Sequence, residues 1–333
     1  MALTLEQSKV GMANKVDQTV IDMFRRESTL LDKMVFDNAV SPGTGGSTLT
    51  YGYQQLKTPS TAKFRKIGEN YTANEAIREA KTADCKIFGG SFGVDRVIAQ
   101  TSGAIDEVAF QMQQKIKGAV NLFNYALIKG DKSETASGSH PEFDGLDKLL
   151  AGAETEYTPE AAIDLSTSAK MTENAELFAD TLDEWLSLFE EKPDFLIMNS
   201  KMATKMKSIA RKLGYYSRTE DAFGRGVDNY DGIPFYVVGT YYDGSQTKEI
   251  IDIDDSSKET SIYGVKIDLG GFHGISPAGD KIIKTYQKDV TDTGVIIDGE
   301  VEAVMGVVLK NSRKAGVLRK IKVAPQSSPY SFE

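Results

Sequence analysis

Residues 86–130 constrain the fold more than any other stretch of this chain. They open on a strand-forming run, Lys86-Ile87-Phe88-Gly89-Gly90 through Ile98, and pass into a helix-forming one. There Ile105, Val108, Ala109, Met112, Ile116, Ala119, Val120, Phe123 and Leu127 recur at the three- and four-residue steps of one helical face. Thr101 or Ser102 is placed to cap the start, Asp106 and Glu107 suit the positive N-terminal end, and Gly130 offers a left-handed stop. At about 1.5 Å per residue, residues 104–129 would make a rod of roughly 39 Å, enough to span a small domain. A charge under that spine, as in Met112→Asp, is expected to unfold the chain.

Upstream of the spine, residues 4–27 read as an amphipathic helix, and Ser41-Pro42-Gly43-Thr44-Gly45-Gly46 separates it from the next segment. Residues 47–53 are β-forming, Pro59 suits a loop tip, and residues 67–72 suit a returning strand. Between them Lys57, Lys63, Arg65 and Lys66 make a basic stretch. A two-stranded hairpin with so few core residues is marginal alone, so it is expected to lean on something else. Residues 74–80 have helical composition.

Beyond the spine, residues 142–150 read as a turn into a short helix. Thr172 is placed to cap a helix with Leu177, Phe178, Leu182, Trp185 and Phe189 on its apolar side. Residues 195–198 read as a buried strand, and Asn199 or Ser200 starts a third helix closed by Gly214. Residues 215–230 form a loop in which Tyr215, Tyr216, Arg218 and Arg225 have the composition of a protein contact. Strands are expected at 235–239, 249–253, 261–269, 281–286, 295–309 and 317–323, with a tail after that.

Chemistry-bearing patterns are scarce. Two histidines, His140 and His273, and one cysteine, Cys85, are too few for a zinc site, and no nucleophile elbow accompanies them. Gly89-Gly90-Ser91-Phe92-Gly93 lies within a strand-like run, so its glycines suit close backbone approach and not a phosphate loop. Asp252, Asp254 and Asp255 lack calcium-loop spacing, and Cys85 reads as a small strand residue. No catalytic, cofactor or metal site is expected. A net charge of −9 argues against a surface that coats nucleic acid, and no apolar run is long enough for a membrane helix.

The order of parts resembles the major capsid proteins of tailed bacteriophages, the Hong Kong 97 type fold. Three sets of residues carry the likeness. One is Gly46-Ser47-Thr48-Leu49-Thr50-Tyr51 leading through residues 63–71. A second is Lys86-Ile87-Phe88-Gly89-Gly90 with Val94-Asp95-Arg96-Val97 just before the spine. The third is Glu142-Phe143-Asp144-Gly145-Leu146, with residues 230–234 and Gly271-Phe272-His273-Gly274. The resemblance implies an α+β subunit with an N-terminal arm (1–45), an extended loop (46–80), a peripheral domain (81–157 and 280–323), an axial domain (158–279) and a tail (324–333). It implies homo-pentamers and homo-hexamers of an icosahedral head enclosing double-stranded DNA, with a portal and a separate scaffolding protein. The loop cations Lys57, Lys63, Arg65 and Lys66, with Tyr215, Tyr216, Arg218 and Arg225, would then meet neighbouring subunits. An encapsulin-like compartment shell is the alternative within that fold. A soluble small-molecule or peptide-binding α/β protein is the alternative outside it.

Overall fold

The spine forms, but starts later than its sequence pattern. In the computed structural model, which describes residues 30–38, 49–58, 60–101, 106–133, 142–214, 217–220, 226–277, 283–287 and 294–325, the helix runs over Glu107–Lys129. Its cap is Asp106, whose carboxylate accepts from the backbone N–H groups of Val108 and Ala109, both at 3.1 Å. A carboxylate that takes two amides at the positive helix end outcompetes the hydroxyls expected there. Thr101 instead closes a separate short helix, Arg96–Thr101, and its hydroxyl bonds back to the Val97 carbonyl at 2.6 Å. Ser102 lies outside the described residues.

Gly130 ends the spine, though not in the left-handed conformation: its φ is −55°. Packing is what requires glycine there. A Cβ would sit 2.4 Å from the Phe143 carbonyl oxygen, because residues 142–150 cross the helix end at this point. The Gly145 amide donates to the Gly130 carbonyl at 2.8 Å, and the short helix Leu146–Leu149 comes next, as expected. Burial along the spine is uneven. Ala119, Phe123, Ala126, Leu127 and Ile128 are buried, whereas Val108, Met112 and Ile116 are half-buried. A charge at Met112 can therefore reach water, and unfolding is not the expected outcome of Met112→Asp.

A five-stranded sheet packs under the spine. Its hub is the 14-residue strand Ile296–Leu309, with antiparallel neighbours on both edges. On one edge it pairs with Lys86–Asp95, in register from Lys86 opposite Met305 to Asp95 opposite Ile296. On the other edge lie Phe272–Ile275 and Ile283–Gln287, and Phe36–Asp37 adds in parallel beyond Phe272–Ile275. Close backbone approach explains Gly89, as expected: a Cβ there would meet the Val301 carbonyl oxygen at 1.9 Å.

The second sheet has eight strands, ordered Glu156–Tyr157, Ala315–Lys322, Glu259–Val265, Phe195–Met198, Ile233–Val237, Gly226–Tyr230 and Ser217–Glu220, with Ile163–Asp164 also on Ala315–Lys322. Two segments thus pair differently from the expected grouping. Residues 315–322 join this sheet and not the spine's, and 272–275 join the spine's sheet and not this one. Helices Ala175–Ser187 and Ser200–Leu213 cover the sheet through Phe178, Leu182, Trp185, Met202, Met206 and Ile209. Asn199 caps the latter by accepting from the Met202 amide at 2.7 Å, and Gly214 closes it at φ 75°. Thr172 caps nothing. Thr167 and Asn174 hold the two N-terminal positions around it, and Leu177 points to solvent. Of residues 249–253 only Glu249 is in a strand, at the end of Thr247–Glu249, which pairs with Thr240–Tyr242; residues 250–253 make none.

The two sheets share one apolar core, in which Phe123, Leu127 and Met305 meet Phe195, Tyr263, Val265 and Val317. A polar knot ties the same elements together. Asp147 accepts from the Tyr263 hydroxyl at 3.0 Å, pairs with Arg319 at 2.7 Å and lies 3.4 Å from Lys129 at the spine's end. Burial alone would raise the Asp147 pKa, but Lys129 and Arg319 outweigh it and hold the carboxyl below its usual range.

The hairpin is longer than its sequence suggests. Thr50–Thr58 pairs antiparallel with Ile77–Asp84, in register from Thr50 opposite Asp84 to Thr58 opposite Ile77. Residues 74–80 are therefore not helical, and residues 67–72 are not the returning strand. Pairing with the outgoing strand overrides the helical composition of Ile77–Asp84.

Candidate assembly surface

Every described residue from 60 to 82 is exposed. The loop turns at Lys66-Ile67-Gly68-Glu69, where the Glu69 amide donates to the Lys66 carbonyl at 3.2 Å and Gly68 takes φ 90°. Such a turn wants glycine at its third position and puts Ile67 at the corner. Phe64 and Ile67 are completely exposed, at 108% and 104%, and Tyr71 is 67% exposed. Arg65 lies over the Tyr71 ring at 5.3 Å and donates to the Glu69 carbonyl at 3.3 Å. Lys63 and Lys66 flank this aromatic tip, exposed in their turn. Large apolar side chains gathered on an exposed tip mark a contact surface.

The other expected contact residues are placed less fully. Lys57 lies in the strand Thr50–Thr58 and Arg218 in Ser217–Glu220, but their side chains lie outside the described part. Tyr215, Tyr216 and Arg225 lie outside the described residues altogether, as do His140 and Pro59.

At its base the hairpin is clamped to the spine's sheet. The Tyr51 hydroxyl donates to Asp37 at 3.0 Å, its ring stands edge-on to His273 at 6.1 Å, and Lys310 lies 5.2 Å over it. Cys85, at the hairpin's exit, is buried with its thiol directed at the Ile275 carbonyl. Burial, then the Asp84 charge, pushes that thiol up to about 12, so it is inert as a nucleophile. His273 is fully buried, and neither ring nitrogen makes a well-formed hydrogen bond among the described residues. Burial and then Lys310 lower its pKa; the Gly271 backbone, Asp37 and Asp268 pull more weakly the other way.

That environment has a consequence for pH. The folded chain keeps His273 neutral while the unfolded chain protonates it below about pH 6.5, so stability falls as pH drops through that value. His273→Leu is expected to flatten this acid dependence in denaturant titrations at pH 7.5 and pH 5. It is also expected to stabilise the fold at pH 7.5 by about 1–2 kcal/mol, because it removes a buried polar ring without good partners. An unchanged acid slope would assign the dependence to other groups.

Among the described residues no cluster of three metal-ligating side chains occurs, and no helix is long and apolar enough to cross a membrane. The sequence profile of the SU10 major capsid protein family matches residues 4–322. The chain belongs to that family. It is a structural capsid protein, many copies of which make up a shell.

Solved structures agree on the fold. The SrpI encapsulin of Synechococcus elongatus PCC 7942 is similar over 100% of both chains at 14% identity, with a TM-score of 0.65. The capsid of a native GTA particle matches 92% of this chain and 95% of its own at 13% identity and a TM-score of 0.56. The capsid of Myoviridae phage XM1 matches 92% and 97% at 11% identity and 0.55. Among curated protein sequences none matches. The capsid protein thus has the α+β fold of tailed-phage shells, the Hong Kong 97 type.

Proposed function

We propose that the capsid protein forms pentamers and hexamers of an icosahedral phage head, assembled in the bacterial cytoplasm around a portal and with the help of a separate scaffolding protein. The head would hold double-stranded DNA without reading its sequence. The spine with its sheet would form the peripheral part of each subunit, and the eight-stranded sheet the axial part. Tyr215, Tyr216, Arg218 and Arg225 would face neighbours near the symmetry axes. Residues 1–45 would be an arm that ties subunits together, and 324–333 a tail.

The observation that carries this proposal is the hairpin: it leaves Phe64 and Ile67 wholly exposed in a chain of a capsid family. Negative-stain microscopy of the purified protein, with and without co-expressed neighbouring phage genes, tests it. Closed shells or capsomer-sized rings are expected, and a monomer under every condition would sink the proposal. Uniform closed shells from this chain alone would remove the scaffolding protein but keep the rest.

The likeness to SrpI, which spans both chains completely, motivates a second reading as a compartment for protein cargo. The contents of nuclease-treated particles separate the two. Protected double-stranded DNA supports the phage head, and enclosed protein without DNA supports the compartment.

Reversing the loop cations gives a sharper prediction. Lys63→Glu, Arg65→Glu and Lys66→Glu together should leave the melting temperature within about 2 °C, because exposed charges contribute little to stability. Particle yield should nevertheless fall about tenfold, as the tip loses its charge match to a neighbour. Normal particles from this variant would remove the loop from the interface.

A further inference from the structure

Between Phe195 and Thr219 the chain has six cations, Lys201, Lys205, Lys207, Arg211, Lys212 and Arg218, and no carboxylate, in a sequence whose net charge is −9. The first five lie on the helix Ser200–Leu213. Its apolar side, with Met202, Met206 and Ile209, is buried on the eight-stranded sheet, whereas Lys201, Arg211 and Lys212 are exposed and Lys205 is half-buried. Only Lys207 is neutralised, by Asp228 at 2.5 Å; the other four form no ion pair among the described residues. Lys205 and Lys212 donate to neutral oxygens instead, the Ser166 carbonyl at 3.0 Å and the Thr172 hydroxyl. Arg211 donates through Nε to the Lys207 carbonyl at 3.2 Å, which leaves the forked end of its guanidinium open to solvent. The adjacent helix Ala175–Ser187 exposes Glu176, Asp180, Asp183 and Glu184, yet no ion pair joins the two helices among the described residues.

Stability does not account for this stripe. Lys201 is the second residue of its helix, at the positive end, where a cation is unfavourable. No acidic residue in the first turn offsets it. Arg211 and Lys212 do suit the negative end, but that need is met without leaving four cations short of a counter-charge.

We propose that this helix face is where the subunit meets the phosphate backbone of the enclosed double-stranded DNA. The assignment rests on the phage-head reading and names the contacting surface within it. From Lys201 to Lys212 the stripe runs about 17 Å at 1.5 Å per residue. A duplex carries one phosphate charge per about 1.7 Å of its axis, so a stripe of that length finds phosphates in every register. Such contacts position a duplex and carry no sequence information, as holding DNA without reading it requires. The open fork of Arg211 suits bidentate contact with a phosphate. The net charge of −9 disfavours DNA over the surface as a whole, so a local stripe makes the contact and not a coat. Each contact is weak, and the many copies in a shell add to it.

Fluorescence anisotropy of a short labelled duplex of mixed sequence, titrated with full-length subunits not yet closed into shells, tests the assignment. Wild-type affinity is expected to fall roughly a hundredfold between about 50 and 200 mM salt, the slope of about four released counterions. Lys201→Gln, Arg211→Gln and Lys212→Gln together should weaken binding at least tenfold at the lower salt. They should also cut the salt slope to about a quarter, with circular dichroism unchanged. Lys201→Glu alone separates binding from a structural role. It should raise the melting temperature by about 1 °C, by relieving the helix end, while weakening the hold on the duplex.

A duplex that the wild type does not bind, or that the triple variant binds equally well, would overturn the assignment. So would a wild-type chain that prefers polyglutamate to the duplex, which would give the stripe to an acidic protein. In each case shells that protect DNA from nuclease would leave the phage-head reading standing. Shells that enclose no DNA would remove that reading and the assignment with it.

Discussion

Phe123→Ala is expected to lower the unfolding free energy of the subunit by about 3–5 kcal/mol. The ring is completely buried at the middle of the spine's covered half. It lies 6.2 Å from Phe88 on the ladder, 5.8 Å from Phe143 on the crossing segment and 6.3 Å from Phe36 at the sheet edge. Three separate elements thus close on one side chain, and truncating it leaves a cavity that a rigid helix and a paired ladder are poorly able to collapse. Denaturant titration of the unassembled subunit measures the loss. Leu122→Ala, one position earlier on the exposed side, should cost under about 1 kcal/mol and serves as the control. Similar losses at both positions would mean that the spine is not anchored where the structure places it.

Gly89→Ala should be nearly as damaging, for a different reason. The added methyl would stand 1.9 Å from the Val301 carbonyl oxygen, and that oxygen belongs to the backbone of the hub strand. No rotamer relieves a clash between a Cβ and a carbonyl, so the ladder must separate locally, at about 3 kcal/mol. Gly52→Ala on the hairpin makes the contrast, because nothing lies within 4 Å of its Cβ position. That change should be neutral or should stabilise by about 0.5 kcal/mol through the unfolded state. A thermal melt of the two variants side by side checks both expectations.

The parts of the fold legible in the sequence are those where local pattern and tertiary role agree. The spine's stripe from Ala119 to Leu127, the apolar run of Phe195–Met198, the Asn199 cap and the alternation along Ile296–Leu309 each announce their partners' geometry. Errors fall where several residues could serve one role. Thr101, Ser102 and Asp106 all suit a helix start, and the carboxylate prevails by accepting two amides. Ile77–Asp84 alternates poorly and is mostly exposed, so nothing in its composition shows that it pairs along the whole length of Thr50–Thr58.

The candidate surface is half legible. The basic run of Lys63, Arg65 and Lys66 suggests a contact loop, but the sequence assigns Ile67 to a returning strand, and only the structure shows it and Phe64 fully exposed. A cavity beside the spine could not be read ahead, since its lining comes from four separate segments of the chain. His273 is a similar case. Flanking glycines suggest a surface turn, yet the residue sits in a strand whose neighbours bury it completely.

The shared core and the Asp147 knot tie the two sheets into one packed block. In the proposed pentamers and hexamers, a subunit so built would have little freedom at its centre to meet differing curvature. Any accommodation has to come from segments that rest on nothing within their own chain, and the described segment that does so is the hairpin beyond Tyr53. Shell geometry would then be adjusted at the joints between tiles while the tile itself stays fixed. Strain applied to the particle would accumulate in those joints first.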